Sequence, residues 1–363
     1  MTADTVGGVW QYAIQLCSLL ATRGTRVMLA TMGPEPSTQQ RAEADAVPDL
    51  VLRSSTYALE WMPESWPDVE RAGEWLGQLE AEFAPEIVHL NGYCHATLAW
   101  HAPRLVAGHS CVYSWWRAVH GCRPGPEWLS YRQRVGAGLR AADAVAAPSR
   151  AMADALEHEY DVRRAVVVIP NCRSWNSAEG VAKEPMIFAA GRMWDPAKNL
   201  LMLDQSASDI PWPVYIAGDP TGPGGVPANG MTAATCLGRV TSTEVARWMA
   251  RASIYALPAR YEPFGLSVLE AALSGCALVL GDIPSLRENW DGVARFVHPG
   301  RPDELRDTLR HLIDRPDERE VLGQAARLRA EQFTPERHVR AYESLYLGMV
   351  MAHGRTAHSA RSH

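Results

Sequence analysis

The sequence of 363 residues predicts an α/β fold with two domains, each built on a parallel sheet. Apolar stretches of strand length alternate with segments of helical periodicity along nearly the whole chain, which is typical of parallel sheets covered on both faces. The alternation is interrupted by polar, unpatterned residues at 172–185, which we interpret as a linker. The length suits two domains of ordinary size, and 47% hydrophobic residues supply enough apolar side chains for two cores.

The first domain is assigned to residues 1–172. A glycine turn at Gly7-Gly8 precedes a helix in which Tyr12, Leu16 and Leu20 recur at helical spacing, and Gly24 ends it. Predicted strands follow at 26–31, 49–53, 87–92, 105–107, 144–149 and 166–171. Predicted helices lie at 69–83, 97–102, 128–142 and 151–160.

The second domain is assigned to residues 186–334. Predicted strands lie at 186–190, 214–218, 236–238, 253–258 and 277–280. Predicted helices lie at 199–206, 242–250, 266–273, 302–314 and 318–332. Residues 222–230 are rich in Pro and Gly and predict a flexible loop. The chain is expected to end with an amphipathic helix at 335–352 and a disordered tail at 353–363.

Composition excludes several classes of function. A net charge of −6 argues against general nucleic-acid binding. Seven Cys without a C-x-x-C pair are typical of reduced thiols, and no apolar run is long enough for an integral membrane segment. We therefore expect a cytoplasmic protein or one peripheral to a membrane. No Asp-x-Asp pattern follows a predicted strand, so no metal site is predicted.

The stretch from Arg260 to Gly275 organises the second domain. A predicted strand leads into a turn rich in Pro and Gly, and helix 266–273 follows directly. The first turn of a helix offers unpaired N–H groups and the positive end of the helix dipole, which suits a phosphate. Glu270 lies about one turn further in, where a carboxylate is better placed to bind hydroxyl groups. The local pattern therefore indicates an anionic, polyhydroxylated ligand such as a sugar nucleotide.

The segment Glu262-Pro-Phe-Gly-Leu, followed by Glu270, resembles the Glu-x7-Glu signature of retaining glycosyltransferases with the GT-B fold (family 4, glycosyl transferases group 1). The resemblance implies two Rossmann-like domains whose parallel sheets face each other across a cleft, and a last helix that crosses back to the first domain. It also implies a strand before Gly7-Gly8. Few residues precede that turn, so we expect this strand to be missing or to lie upstream of Met1 in a longer reading frame.

The resemblance further implies roles for single residues of the second domain. Glu262 is expected near the donor sugar and the reacting centre, and Glu270 is expected to accept hydrogen bonds from the ribose hydroxyls. The backbone of five residues is expected to line the donor: Gly238, Val240, Phe264, Gly265 and Leu266.

Two cations, Arg192 and Lys198, lie in the loop after strand 186–190, at the strand end where open α/β sheets bind ligands. The resemblance implies that they grip the diphosphate of a nucleoside diphosphate sugar, the donor substrate, with no separate cofactor. Two positive charges roughly offset the charge of the departing diphosphate, so no metal ion is expected.

In the first domain, Gly7 and Gly8 are expected to bring backbone amides towards the donor. His109 follows an apolar strand, and the resemblance implies that it contacts the donor sugar; with Arg192, Lys198 and Glu262 it completes the predicted catalytic set. Three residues are candidates for an acceptor pocket, with plain packing as the alternative: Trp115, Trp116 and His120.

The sequence thus predicts a metal-independent, retaining hexosyltransferase. Its hydroxyl acceptor would be a glycan, a lipid-linked sugar or a small-molecule glycoside, as in polysaccharide biosynthesis. Two alternatives stay open: a catalytically degenerate binding or scaffold protein, and another GT-B enzyme such as a nucleotide-sugar epimerase or a phosphorylase. The nucleotide base, the sugar, the acceptor and the oligomeric state are not specified by the sequence.

Overall fold

The computed structural model describes residues 1–162, 165–175, 181–222 and 230–360. Most of the predicted loop at 222–230, residues 176–180 of the predicted linker and the last three residues of the predicted tail lie outside this part. The chain forms two compact units. The first unit contains residues 1–116, 122–171 and 335–363; the second contains residues 117–121 and 172–334.

The first unit contains two parallel sheets. One has the order β1 (Thr2–Asp4), β2 (Met28–Met32), β3 (Val51–Ser54). The other has the order β4 (Val88–Leu90), β5 (Arg104–Ala107), β6 (Ala144–Ala147), β7 (Val167–Val168). The helices before residue 172 are α1 (Gly8–Ala21), α2 (Thr38–Asp45), α3 (Trp66–Phe83), α4 (Val112–His120), α5 (Leu129–Ala141) and α6 (Arg150–Tyr160). Leu16 on the apolar face of α1 packs in one buried cluster with residues of the strands, among them Leu29 of β2 and Leu105 of β5.

The expectation of a missing first strand is wrong. Thr2–Asp4 forms β1 and pairs in parallel with Ala30, Thr31 and Met32 of β2. The strand has three residues, and its hydrogen bonds to distant parts of the chain hold it in place: the amino group of Met1 donates to the Met28 carbonyl oxygen at 2.7 Å, and Thr2 bonds to Asn91. Such a short strand gives no periodic signal and forms only through this pairing.

The predicted helix at 97–102 is also wrong. A single 3-10 turn spans Cys94–Thr97, and Leu98 is already extended. Side chains take the place of helical hydrogen bonds, because Arg104 donates to the carbonyl oxygens of Ala96 and Leu98. Pro103 follows, and a proline disfavours helical backbone in the residue before it. Helices α2 and α4, by contrast, were not predicted.

The second unit is built on one six-stranded parallel sheet with the order β10-β9-β8-β11-β12-β13. The strands are β8 (Glu184–Ala190), β9 (Val214–Ala217), β10 (Thr235–Gly238), β11 (Ala252–Leu257), β12 (Ala277–Gly281) and β13 (Arg295–Val297). The helices are α7 (Leu200–Ala207), α8 (Ser242–Arg251), α9 (Leu266–Leu273), α10 (Pro284–Trp290), α11 (Pro302–Asp314) and α12 (Pro316–Ala330).

The strand order of this sheet reverses between β8 and β11. The chain runs outward from β8 to β10 and then returns to pair β11 with the other edge of β8. In open α/β sheets the loops after two such strands diverge and leave a ligand-binding crevice. Both strands are buried at their centres, with Ile187, Phe188 and Tyr255 inaccessible to solvent, so the loops at this edge rest on a rigid base.

The last helix, α13 (Pro335–Ala360), is part of the first unit, where Val339, Tyr342 and Met349 pack into the core beside α1. It runs beyond the predicted end at 352 and through most of the predicted disordered tail. Residues 352–360 contain no proline and a single glycine, so nothing in them stops the helix. No helix in the described residues is long and apolar enough to cross a bilayer.

Candidate active site

The loops after β8 and β11 bring the predicted charged residues of the second unit together. Lys198 lies at the end of the loop between β8 and α7, and Glu262 lies between β11 and α9. The Lys198 Nζ donates a hydrogen bond to Glu262 Oε2. Their side chains are only 16% and 11% exposed. Sequence analysis predicted both residues, and the contact between them places both at the point where the strand order reverses.

Arg192, the second predicted cation, is held by a carboxylate of its own loop. Its Nη2 and Nε donate to Asp195 Oδ2 at 2.6 and 3.2 Å. The Asp195 side chain is 3% exposed, whereas that of Arg192 is 37% exposed. Burial raises the pKa of Asp195, but the charges of Arg192 and Lys198 and the hydrogen bonds from Arg192 and from the Ala197 amide outweigh it and hold this pKa below its usual value. Asp195 therefore stays ionised and orients a guanidinium that can still reach a ligand.

Glu270, on α9, forms the third ion pair. Arg173 Nε donates to Glu270 Oε1 at 2.6 Å, and both side chains are largely buried. Burial raises the pKa of Glu270, and Arg173 offsets part of that shift. The segment that carries Arg173 is held on α9 by Trp175, whose Nε1 donates to Ser274 Oγ at 2.8 Å.

Sequence reasoning missed Asp195 and Arg173. The three-residue spacing from Arg192 to Asp195 is a local signal that could have indicated the first pair. No local signal exists for Arg173, because it lies in a polar, unpatterned segment and is 97 positions from Glu270 in the sequence.

The beginning of α9 has the predicted geometry. Gly265 has φ 90°, and a Cβ there would lie 3.0 Å from Val268 Cγ2, so glycine is required. No side chain caps the helix, whose N-terminus begins at Leu266. Phe264 is buried against Phe333, with ring centroids 5.5 Å apart, and this contact anchors the turn. The turn therefore directs the first backbone amides of α9 to the same edge of the sheet as the ion pairs.

Gly238 and Val240, two of the residues expected to line the donor, lie at the carboxyl end of the edge strand β10. Gly238 has φ 68°, and its carbonyl oxygen accepts a hydrogen bond from the Gly218 amide at 2.8 Å. One strand, β9, separates β10 from β8. Both residues therefore lie at the carboxyl edge of the sheet.

His109 lies in the first unit, two residues after β5. Its Nε2 lies 2.8 Å from Asn91 Oδ1, and the ring of Tyr12 packs against it with centroids 4.3 Å apart. Burial, with a smaller contribution from His338, lowers the pKa of His109 to about 4. The imidazole is therefore neutral at physiological pH. Asn91 is another functional candidate that sequence reasoning missed.

Further buried rings surround His109. His89 Nδ1 lies 2.6 Å from the Tyr346 hydroxyl, and burial lowers its pKa well below the usual value. His338 Nδ1 donates to the Pro170 carbonyl oxygen at 2.8 Å, and burial lowers its pKa to about 4. This set of rings, which we call the histidine cluster, consists of Tyr12, His89, His109, His338, Tyr342 and Tyr346.

The remaining predicted residues lie at the start of α1 and on α4. Gly7 has φ 82° and directly precedes α1, which no side chain caps; Gly8 is the first residue of that helix. Trp115 and Trp116 are half-buried on α4 with ring centroids 6.2 Å apart, and His120, which falls in the second unit, is exposed at the end of the same helix. The role of these residues towards an acceptor stays a prediction.

Within residues 1–162, 165–175, 181–222 and 230–360, no group of three or more His, Cys, Asp or Glu side chains is placed to hold a metal ion.

Two protein-family models match the chain. The one described as Glycosyltransferase Family 4 matches residues 6–173, and the one described as Glycosyl transferases group 1 matches residues 184–315. Together they cover more than four fifths of the chain.

Characterised relatives match only in part. A stretch of 94 residues is 37% identical to the MMP alpha-(1->4)-mannosyltransferase of Mycolicibacterium hassiacum and covers 25% of this chain and 23% of that one. A stretch of 124 residues is 28% identical to the D-inositol 3-phosphate glycosyltransferase of Streptomyces coelicolor, over 33% of this chain and 27% of that one. The aligned part thus spans about a quarter of the length of these relatives.

Solved structures match over nearly the whole chain. The sucrose-phosphate synthase of Thermosynechococcus elongatus has a TM-score of 0.77 at 18% identity and covers 97% of this chain and 96% of its own. Anabaena HepE in complex with UDP and glucose has a TM-score of 0.72 at 16% identity, with coverages of 95% and 98%. At these identities the likeness shows the fold, and the predicted GT-B fold class is confirmed.

Proposed function

This chain belongs to the GT-B glycosyltransferases, and we propose that it transfers a sugar from a nucleoside diphosphate sugar to a hydroxyl acceptor, with retention of anomeric configuration and without a metal ion. The observation that carries the proposal is the contact of Lys198 with Glu262, next to the pair formed by Arg192 and Asp195, where the strand order of the sheet reverses.

The two cations are suited to a leaving diphosphate. The Lys198 ammonium has three donor hydrogens, so it can bind a phosphate oxygen while it still contacts Glu262. Arg192 is oriented by a buried carboxylate and keeps a solvent-accessible face. Charge-assisted hydrogen bonds to a preorganised pair of cations stabilise the negative charge that grows as the sugar–phosphate bond breaks. The leaving diphosphate can itself take the proton of the attacking hydroxyl.

The carboxylates are suited to the hydroxyl groups of the donor. Arg173 bonds to Oε1 of Glu270, which leaves Oε2 to accept hydrogen bonds from a ribose. Glu262 is joined to Lys198 through one oxygen and can accept a hydrogen bond from the sugar through the other. Support for the donor class also comes from HepE, whose structures hold UDP, UDP with glucose, and UDP-glucose. A hexose is therefore our proposed transferred group, and a uridine nucleotide is the first donor to test.

The proposal is tested by the variant Lys198→Ala. It removes a charge-assisted contact worth about 1.5–3 kcal/mol, so we expect transfer from the preferred donor to fall about tenfold to more than a hundredfold. UDP-glucose, GDP-mannose and ADP-glucose are compared as donors by release of the nucleoside diphosphate. Wild-type turnover by Lys198→Ala would refute the assignment.

Arg251→Ala is the matched control. Arg251 is also paired with a carboxylate, that of Glu184. This pair lies at the amino end of β8, whereas the predicted site lies at the carboxyl ends of the strands. Turnover by this variant should stay within about twofold of wild type, because an exposed ion pair contributes little to folding and this one is remote from the proposed donor site. Normal donor binding without turnover in the wild-type protein would favour the scaffold alternative. Donor turnover that gives an epimerised nucleotide sugar, or that requires phosphate, would favour an epimerase or a phosphorylase.

A further inference from the structure

We propose that Asn91 is a positioning residue that fixes the tautomer of His109, so that His109 presents Nδ1 as a hydrogen-bond acceptor to a sugar hydroxyl group. The identity of the hydroxyl rests on the proposed function. The tautomer rests on the geometry of Asn91 alone.

The orientation of the Asn91 amide is determined by its contacts with Thr2. Asn91 Nδ2 lies 2.7 Å from the carbonyl oxygen of Thr2, and the backbone amide of Asn91 donates to Thr2 Oγ1 at 3.0 Å. A carbonyl oxygen can only accept hydrogen bonds, so the NH2 group of Asn91 must face it. The Oδ1 atom consequently faces His109.

The orientation of Asn91 determines the proton position on His109. The amide oxygen Oδ1 lies 2.8 Å from His109 Nε2 and can only accept, so Nε2 must carry the hydrogen. A neutral imidazole has one N–H, and Nδ1 therefore carries a lone pair. No second hydrogen-bond partner of His109 occurs in the part of the chain that the structure describes.

The rings around His109 keep it neutral and oriented. Its titratable neighbours are Tyr12 of α1, His89 of β4 and His338 of α13, and each is uncharged at physiological pH because burial disfavours its charged form. The Tyr12 ring packs against the imidazole. Rotation of the imidazole by half a turn would place a carbon, Cε1, opposite Asn91 Oδ1 and lose the hydrogen bond.

A lone pair at Nδ1 selects the chemistry of its partner. Both phosphates of a nucleoside diphosphate sugar are esterified and carry no hydrogen at neutral pH, so Nδ1 cannot bind them. A hydroxyl can donate to Nδ1. In a sugar-transfer reaction such a hydroxyl belongs to the transferred sugar or to the acceptor, and His109 is thereby assigned to sugar recognition, whereas the diphosphate is assigned to Arg192 and Lys198.

The tautomer is tested by NMR of the full chain labelled with 15N-histidine, with the His109 signals assigned by comparison with His109→Gln. We expect a protonated Nε2 and an unprotonated Nδ1 in the wild-type protein. Asn91→Ala should give a mixture of both tautomers. The control Tyr12→Phe keeps the ring that packs on His109, and its tautomer should stay as in wild type. A protonated Nδ1 in wild type, or an unchanged tautomer in Asn91→Ala, would overturn the proposal.

A second variant, Asn91→Asp, covers the case in which Asn91→Ala does not fold. The carboxylate still accepts from Nε2, so the tautomer should be kept. Its negative charge favours the imidazolium, so the titration midpoint of His109 should rise by about one to three pH units. A midpoint equal to that of wild type would show that the two side chains do not interact and would overturn the proposal.

The ligand is tested by adding UDP-glucose, GDP-mannose, ADP-glucose, methyl α-glucoside or inorganic pyrophosphate, each at a concentration that saturates its thermal shift. A change of the Nδ1 resonance with a nucleotide sugar assigns the hydroxyl to the donor, and a change with methyl α-glucoside assigns it to the acceptor. A change with pyrophosphate, or none with any sugar that binds, overturns the assignment. If no nucleotide sugar binds, the proposed function fails, and the tautomer experiment still decides the role of Asn91.

Discussion

The two units carry chemically opposite clusters at the residues predicted to be functional. The histidine cluster of the first unit contains two buried imidazoles, the half-buried imidazole of His109 and three phenols, and burial disfavours the charged form of each of the three histidines. Three ion pairs lie at the predicted residues of the second unit: Arg192 with Asp195, Lys198 with Glu262, and Arg173 with Glu270. In the proposed reaction the first cluster recognises hydroxyl groups, and the second bears the charge of the diphosphate.

Burial disfavours the charged form of a side chain in both clusters, and the presence or absence of a counter-charge decides whether the side chain stays charged. His338 is 4% exposed and has no carboxylate partner among the described residues, so burial lowers its pKa. Asp195 is buried as deeply, but the charges of Arg192 and Lys198 and the hydrogen bonds that Asp195 accepts outweigh the loss of solvation, so its pKa falls. The same physical cost thus leaves His338 neutral in one unit and Asp195 charged in the other.

The largest expected effect comes from removing one partner of a buried ion pair. Glu262→Ala leaves Lys198 in a largely buried position without its carboxylate, so the free energy of unfolding should fall by about 3–5 kcal/mol. The matched variant Glu184→Ala breaks a pair whose side chains are 44% and 43% exposed, so solvent screens the pair and the loss of stability should be much smaller. Urea denaturation of both variants measures the difference; equal losses would contradict the role of burial.

The histidine cluster should make the first unit sensitive to acid. The pKa of His338 is about 4 in the folded protein, whereas an ordinary solvated histidine has a pKa of 6.5, so between these values the unfolded chain binds more protons. Stability should therefore fall as the pH falls from about 6.5 through 4, by up to about 3 kcal/mol from His338. Urea denaturation at pH 7 and pH 4.5 measures this loss in the free energy of unfolding. His338→Gln should show a weaker pH dependence, and an unchanged one would exclude His338 as its source.

Arg173→Gln should weaken donor binding more than the chemical step. The variant removes the charge that holds Glu270 Oε1, and a less well oriented Glu270 should lose about 1.4 kcal/mol of donor binding, or about tenfold in KM. The kcat value should change by less than about threefold, because the contacts of Arg173 are with Glu270 and not with the two cations assigned to the diphosphate. Steady-state kinetics with the donor varied separates the two constants. A fall in kcat at constant KM would place Arg173 in the chemical step instead.

The smallest expected effect is that of Tyr346→Phe. The change keeps the ring that packs on His89 and removes the hydroxyl at 2.6 Å from His89 Nδ1. The loss of one buried hydrogen bond should cost about 1 kcal/mol of stability. The tautomer of His109 should stay unchanged, because Asn91 determines it. A shifted His109 tautomer in Tyr346→Phe would show that the cluster acts as one network.

Sequence reasoning succeeded where the signal is local. Helix 266–273 has the predicted bounds because glycines at 265 and 275 flank an apolar run, and helix 302–314 begins at a proline. Lys198 and Glu262 were both predicted from loops at strand ends, and the structure brings them into contact.

The elements and residues that sequence reasoning did not predict share a physical cause. Strand β1, Arg173 and Asn91 owe their roles to partners that are distant in the chain: β1 pairs with residues 28 positions away, Arg173 with one 97 positions away, and Asn91 with Thr2 and His109. Such contacts form only when the sheet has assembled. Helix α2 has a local signal in the capping box formed by Ser37 and Gln40, but the helix is too polar to show an apolar periodicity and was therefore not predicted.

The proposed chemistry is tested most directly by the anomer that the protein releases first. The wild-type protein is incubated with UDP-glucose, GDP-mannose or ADP-glucose without an acceptor, and the free sugar is followed by 1H NMR before it mutarotates. Our account predicts that at least one donor is cleaved, that the first sugar to appear has the anomeric configuration of the donor, and that Lys198→Ala slows its release at least about tenfold. Release of the opposite anomer, or cleavage at an undiminished rate in Lys198→Ala, would contradict it.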